Sequence, residues 1–258
     1  MKFYPFICNK YTKKMKRISS MKLIYISHSG FAIEGKDFAI LIDFYRDSSE
    51  EFVHRQLLSH PGQLYILSSH SHPDHFNPEV LKWQKQRPDI RYILAEEIRQ
   101  SLPQPFPEAV FLRAGERWQD QRLLVKAFGS TDIGISFLIQ IDGKNIFHAG
   151  DLNNWHWAEE STPEEIEAAE RNYLQELDSI AGETEEIDLA LFPVDPRLGN
   201  DYTRGARQFI DRIHPRQFAP MHFWRRYDQA NAFREYAEKH GCQFIAITRE
   251  GEIFEHII

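Results

Sequence analysis

The run His70-Ser71-His72-Pro73-Asp74-His75 constrains this chain more than any other stretch. Three imidazoles and a carboxylate fall within six residues, just after the apolar segment Leu64-Tyr65-Ile66-Leu67. That segment predicts a buried strand over 64–68. His70 and His72 are two apart, so in extended backbone they point to the same side. Pro73 turns the chain, which lets Asp74 and His75 face the same cavity from another direction. The pattern predicts a metal site at the C-terminal edge of a sheet. Its nitrogen and oxygen donors suffice to begin two adjacent cation positions. Histidines also cluster by chance in loops, but four ligand-type residues at a strand end weigh against that reading.

The remaining pattern mixes strands and helices. Strands are predicted over 23–27, 31–34, 38–43, 90–95, 110–112, 122–128, 135–141, 145–148, 189–194, 217–221, 243–248 and 253–256. Helices are predicted over 50–59, 78–86, 96–101, 206–213 and 229–239, with Asn77 suited to cap the second of these. A longer helix should start at Thr162-Pro163-Glu164-Glu165, run towards Ile180 and stop at Gly182. Two β-rich halves, each finished by helices, suggest a sheet-on-sheet sandwich with helices outside.

With 258 residues, 42% of them hydrophobic, the chain can form one large domain with a sizeable core. A formal net charge of −7 argues against a dedicated nucleic-acid binder. Cys8 and Cys242 form no metal-binding or disulfide pattern, which points to a reducing compartment and a cytoplasmic protein. No apolar run reaches the roughly 18 residues of a membrane span. Residues 1–20 are basic and carry no Asp or Glu. They read as a loosely held extension without a secretion signal, ahead of a folded domain over 21–258.

The pattern His-x-His-x-Asp-His after a buried strand resembles the metallo-β-lactamase superfamily. Two later segments strengthen the resemblance. Ile146-Phe147-His148-Ala149-Gly150-Asp151 is strand-like and ends in Gly-Asp, and Ala219-Pro220-Met221-His222 is strand-like and ends in His. His28-Ser29-Gly30-Phe31 with Ile40-Leu41-Ile42-Asp43 is similar to the branch of ascorbate-6-phosphate lactonase-like and phospholipase D-like members. The resemblance implies an α+β fold, a four-layer αββα sandwich. It places His70 and His72 at a first metal, Asp74, His75 and His222 at a second, and Asp151 between them. It also implies a metal-bound hydroxide as nucleophile, with Asp74 as the catalytic residue that orients it and can receive its proton.

One departure stands out. The family usually has a histidine in a turn before the bridging Asp, and here Gly129-Ser130-Thr131-Asp132 occupies that place. Serine is a poor ligand for a divalent cation. Three arrangements follow: the first metal is weak or absent, Asp132 substitutes, or His28 swings in. The expectation is one firmly bound cation at the Asp74, His75, Asp151, His222 position and a second held more loosely. Zinc suits this donor set best, with manganese or iron as alternatives.

Candidate substrate contacts are His28, Asn153, Trp155, Arg197 and Arg225. For each, a structural role is the competing account: a buried tryptophan anchoring a loop, an Asp195–Arg197 ion pair, a solvated Arg225-Arg226 pair. The expected activity is metal-dependent hydrolysis of an ester-type bond, a phosphodiester or lactone, in a small molecule that carries phosphate in the simplest case. No nucleic-acid partner or membrane span is expected, and a homo-oligomer is compatible with the sequence. The rival of another class is a non-catalytic metal-binding or ligand-sensing protein with a degenerate first position.

Overall fold

The computed structural model describes residues 21–184 and 186–257. The expected extension over residues 1–20, with Cys8, lies outside the described residues. Six strands come first: β1 (Lys22–Ser27), β2 (Gly30–Glu34), β3 (Phe38–Ile42), β4 (Gln63–Ser68), β5 (Arg91–Ala95) and β6 (Ala109–Leu112). Next come β7 (Arg117–Gln119), β8 (Leu123–Phe128), β9 (Ser136–Ile141) and β10 (Lys144–His148). The last are β11 (Leu189–Pro193), β12 (Gln217–Met221), β13 (Gln243–Phe244) and β14 (Glu252–Phe254). They build two seven-stranded sheets, ordered β14-β1-β2-β3-β4-β5-β6 and β13-β12-β11-β10-β9-β8-β7.

Helices α1 (Phe52–Arg55), α2 (Glu79–Lys82) and α3 (Ile98–Ser101) follow strands of the first sheet. Helices α4 (Pro163–Glu183), α5 (Arg204–Ile213), α6 (Tyr227–Asn231) and α7 (Arg234–Lys239) belong to the second. α3 packs on β5, α4 on β8, α5 on β11 and α6 on β12. The result is the expected αββα sandwich. Central strands such as β3 and β11 are buried at every residue, because each is covered on both faces. Among the described residues no helix is long and apolar enough to cross a membrane.

Strand direction places the site. β1 and β3 each pair antiparallel with β2, and β4 is parallel to β3, so β1, β3 and β4 point the same way. In the second sheet β10, β11 and β12 are parallel neighbours. The C-terminal ends of these six strands release the residues on which the chemistry depends, in keeping with the rule that α/β sheets bind ligands beyond their carboxyl ends.

Several predicted elements differ in detail. The helix over 50–59 divides into α1 and a 3-10 turn at Leu57–Ser59, and that over 229–239 divides into α6 and α7. α4 passes through Gly182 and ends before Thr184. A glycine at an exposed helix end weakens the last turn by only about 1 kcal/mol and does not stop it. The strand over 243–248 keeps just Gln243–Phe244. Beyond it the Asn231 side chain takes both the N–H and the C=O of Ile247, at 3.2 and 2.7 Å, in place of a ladder partner. β7, a short edge strand that is largely exposed, had no sequence signal strong enough to predict it.

Candidate metal centre

β4 delivers the motif as predicted. Ser69 and His70 leave its end fully buried, and His75 is buried as well. The loop is fastened from two sides. Asp43, just past β3 and in left-handed backbone (φ 48), accepts the Ser69 N–H and O–H, both at 2.7 Å. Glu97 accepts the N–H and O–H of Ser71 at 2.6 and 2.8 Å.

Asp43 also lies 2.8 Å from His75 Nδ1, which turns His75 Nε2 towards Asp151 Oδ1 at 3.0 Å. β12 ends in His222, whose Nδ1 is 2.8 Å from Asp195 Oδ2 and whose Nε2 is 3.2 Å from Asp151 Oδ1. Asp195 follows β11, is fully buried, and is gripped by the Arg197 Nε and Nη2 at 2.9 and 2.6 Å. Each imidazole thus has a carboxylate behind it that fixes which nitrogen faces inward, the arrangement that orients metal-binding histidines. The other oxygen of Asp151 is 3.3 Å from His70 Nε2, so this carboxylate reaches both halves of the site.

Three sets of donors converge: His28, Asp74, His75 and His222; His70, His75 and Asp151; and His72, Asp132 and Asp151. Within each set the ligand atoms lie within 4.8 Å of one another. Buried His75 Nε2 and Asp151 Oδ1 have no hydrogen-bond partner. Buried polar atoms that lie this close without hydrogen bonding are anomalous in a folded protein. A divalent cation between them removes the anomaly, and the donor set of imidazoles and carboxylates suits zinc, manganese or iron.

The electrostatics agree. Burial favours the neutral carboxyl in Asp151, but His222, His75 and His70 hold it well below the usual carboxylate range. Burial acts on Asp195 in the same way, yet His222 and Arg197 bring it down to about 2. Asp74 is likewise held below its ordinary value by His28 and His75. Burial would depress His75, but Asp151 and Asp43 outweigh it and hold the imidazole up at about 10 in the protein by itself. The carboxylates of the cluster thus stay ionised, the form that suits a cation.

The predicted site residues are distributed unevenly. His70, His72, Asp74, His75, Asp151 and His222 all meet at this edge. His28, expected as a substrate contact and, in one of three arrangements, at the first metal, meets them beside Asp74. Asp132 comes within 3.9 Å of His72 Nδ1. Ser130 accepts the Asp132 N–H at 3.3 Å and shapes that turn.

A cleft of about 360 Å³ opens over the cluster, bordered by Trp155, Trp157 and Arg197. The Trp155 indole N–H donates to the Asp151 carbonyl at 2.7 Å, so it both walls the cleft and anchors the loop. Asn153 is fully buried beneath the site and is not part of the cleft wall. Arg225 is exposed and borders a separate depression with Arg226 and Asp228, so it is not placed against the cluster. The supporting roles of Asp43 and Glu97 were not anticipated; an aspartate directly after an apolar strand was the available signal for Asp43, and Glu97 had none.

A family model described as a beta-lactamase superfamily domain matches residues 22–168, more than half of the chain. A UPF0173 metal-dependent hydrolase of Symbiobacterium thermophilum is 27% identical over 250 residues, covering 91% of this chain and 99% of that protein. Another, from Nanoarchaeum equitans, is 24% identical over 242 residues, with 90% and 99% covered. Among solved structures, Igni18, a metallo hydrolase from the hyperthermophilic archaeon Ignicoccus hospitalis, superposes with a TM-score of 0.66 at 19% identity, covering 92% of this chain and 98% of that one. The metallo-beta-lactamase fold protein YhfI from Bacillus subtilis gives 0.65 at 12% identity, with 92% and 99% covered. These structural likenesses show the fold, and the family match, which takes in His28, the whole His70–His75 motif and Asp151, shows the lineage: the chain belongs to the metallo-β-lactamase superfamily.

Proposed function

We propose that this protein is a metal-dependent hydrolase that cleaves an ester-type bond, a phosphodiester or lactone, in a small molecule. The observation that carries the proposal is the meeting of buried His70, His75, His222 and Asp151 beside the cleft, with Asp43 and Asp195 behind two of the imidazoles. The relatives named metal-dependent hydrolases support it. Zinc is the proposed cation and the cytoplasm the proposed setting. When bound, the metal would lower the pKa of water and stabilise charge developing on the substrate oxygen.

The chain's own groups then have distinct parts. His70, His72, Asp74, His75, Asp151 and His222 would hold the metal, with Asp151 within reach of both halves of the site. Asp74, a quarter exposed towards the cleft, accepts a hydrogen bond from the attacking water and orients it. Asp74 could also receive the water's proton. Arg197 places a guanidinium on the cleft wall, where an anionic group of the substrate would bind. Trp155 and Trp157, stacked at 6.2 Å between ring centroids, add an apolar surface to the cleft.

The test is elemental analysis combined with turnover of bis(p-nitrophenyl) phosphate and of simple lactones, each against a chelated control. Asp151→Ala is expected to abolish hydrolysis and to lower metal content. Full turnover in that variant would sink the proposal. Tight metal binding without turnover of either substrate class would favour a ligand-sensing protein.

A further inference from the structure

His28 is a donor that this reading leaves unused. It sits in the turn between β1 and β2, in left-handed backbone (φ 53), and is only 3% exposed. Neither ring nitrogen has a hydrogen-bond partner. Its Nε2 lies 3.2 Å from Asp74 Oδ2 but without the geometry of a hydrogen bond.

The same is true of the neighbouring contacts. His75 Nε2 and His222 Nε2 lie 3.0 and 3.2 Å from Asp151 Oδ1, an atom that also lacks a hydrogen-bond partner. Polar atoms this close that do not point at one another point at a common place. Two donors about 2.1 Å from one cation stand about 3.4 Å apart at the tetrahedral angle and about 3.0 Å apart at a right angle. Separations of 3.0 to 3.2 Å are short enough for two donors to share one cation.

We propose that His28 is a direct ligand of the cation position formed by Asp74, His75 and His222, giving four protein donors. This rests on the metal-centre reading above and deepens it. His75 and His222 are each backed by a carboxylate at 2.8 Å. His28 is held by packing alone, between the rings of His222 and Trp224, each at 4.2 Å between centroids.

A division of labour follows. A position filled by four protein donors has the closed character of a structural site. Exchangeable ligands then belong on the other side, where His72 and Asp132 are 43% and 46% exposed to the cleft.

The experiment uses the full chain, stripped with chelator, dialysed, and titrated with one equivalent of Co²⁺. Wild type is expected to show the strong visible bands of a four-coordinate ion. His28→Phe should bind Co²⁺ at least about tenfold more weakly, and its bands should shift as solvent takes the place of the imidazole. Unchanged affinity and spectrum in this variant would overturn the role of His28 while leaving the metal centre standing. Absence of Co²⁺ binding by wild type would overturn both. If His28→Phe does not fold, as judged by circular dichroism, His28→Ala decides: added imidazole restores the wild-type spectrum if His28 is a ligand and leaves it unchanged if His28 only packs.

Discussion

Asp43 and Asp195 perform the same task from opposite sheets. Each is fully buried, follows a strand, and stands 2.8 Å behind an imidazole. Each is itself held: Asp43 by Ser69, Asp195 by the Arg197 fork. Asp43→Asn keeps the shape but removes the charge behind His75, so metal affinity should fall about 10- to 100-fold. Competition with a chromophoric chelator measures this; equal affinity in the variant would show that the carboxylate is only a loop fastener. The two aspartates also mark a limit of the sequence. The His70–His75 cluster is legible because its ligands are adjacent in the chain. The pairing of Asp43 with His75 joins residues far apart in sequence, and which carboxylate stands behind which imidazole emerges only when strands are side by side. His28 was visible as a candidate through the resemblance of His28-Ser29-Gly30-Phe31 to one branch of the superfamily. Its neighbour Asp74 depended on how the turn after β1 meets the loop after β4.

At the scale of elements, loops fitted closely to strand ends set the position of the donors. The turn that carries Asp132 returns to the second sheet through Gly134, in left-handed backbone (φ 82). A Cβ there would stand 2.1 Å from the Ser69 carbonyl oxygen and 2.5 Å from the His70 Cβ. Gly134→Ala therefore combines backbone strain with a clash against the motif itself, and should destabilise the fold by about 1–3 kcal/mol. Urea denaturation would register this as a lower midpoint at unchanged slope; a midpoint equal to wild type would mean that the loop moves freely. Most elements were legible, because strands covered on both faces read as apolar runs and the Thr162 capping box marks the start of α4. The misread ends, Gly182 and the strand over 243–248, share a cause. There a tertiary partner or an exposed helix end decides, and local pattern is silent.

At the scale of the whole molecule, the cation site is a junction. The first sheet supplies His28, Asp43 and the His70–His75 loop, and the second supplies Asp151, Asp195 and His222. A ligand bound only by the folded form stabilises it by mass action, by about 2.7 kcal/mol at a hundredfold excess over Kd. Proton linkage gives this a pH dependence. His75, raised from 6.5 to about 10, contributes stability that is present below pH 6.5 and lost as pH rises through 10. His28, lowered to about 4, contributes stability that is present above 6.5 and lost as pH falls through 4. A cation that replaces the His75 proton binds better as that proton is lost. The rise in Tm on adding Zn²⁺ to stripped protein should therefore grow from pH 6 to pH 9 in differential scanning calorimetry. A rise that shrinks over that range would contradict the proton displacement.

The origin of the donors has a kinetic consequence. His28 lies near the start of the described residues and His222 near their end, in different sheets. No partly folded piece of the chain can grip the ion with all of them, and contacts between such distant segments form late. Any fluctuation that parts the layers breaks the grip at once, whereas fraying of a surface helix leaves it whole. The bound ion is in effect a clasp across the seam, and the pace at which a scavenger pulls it out keeps time with the opening of the sandwich.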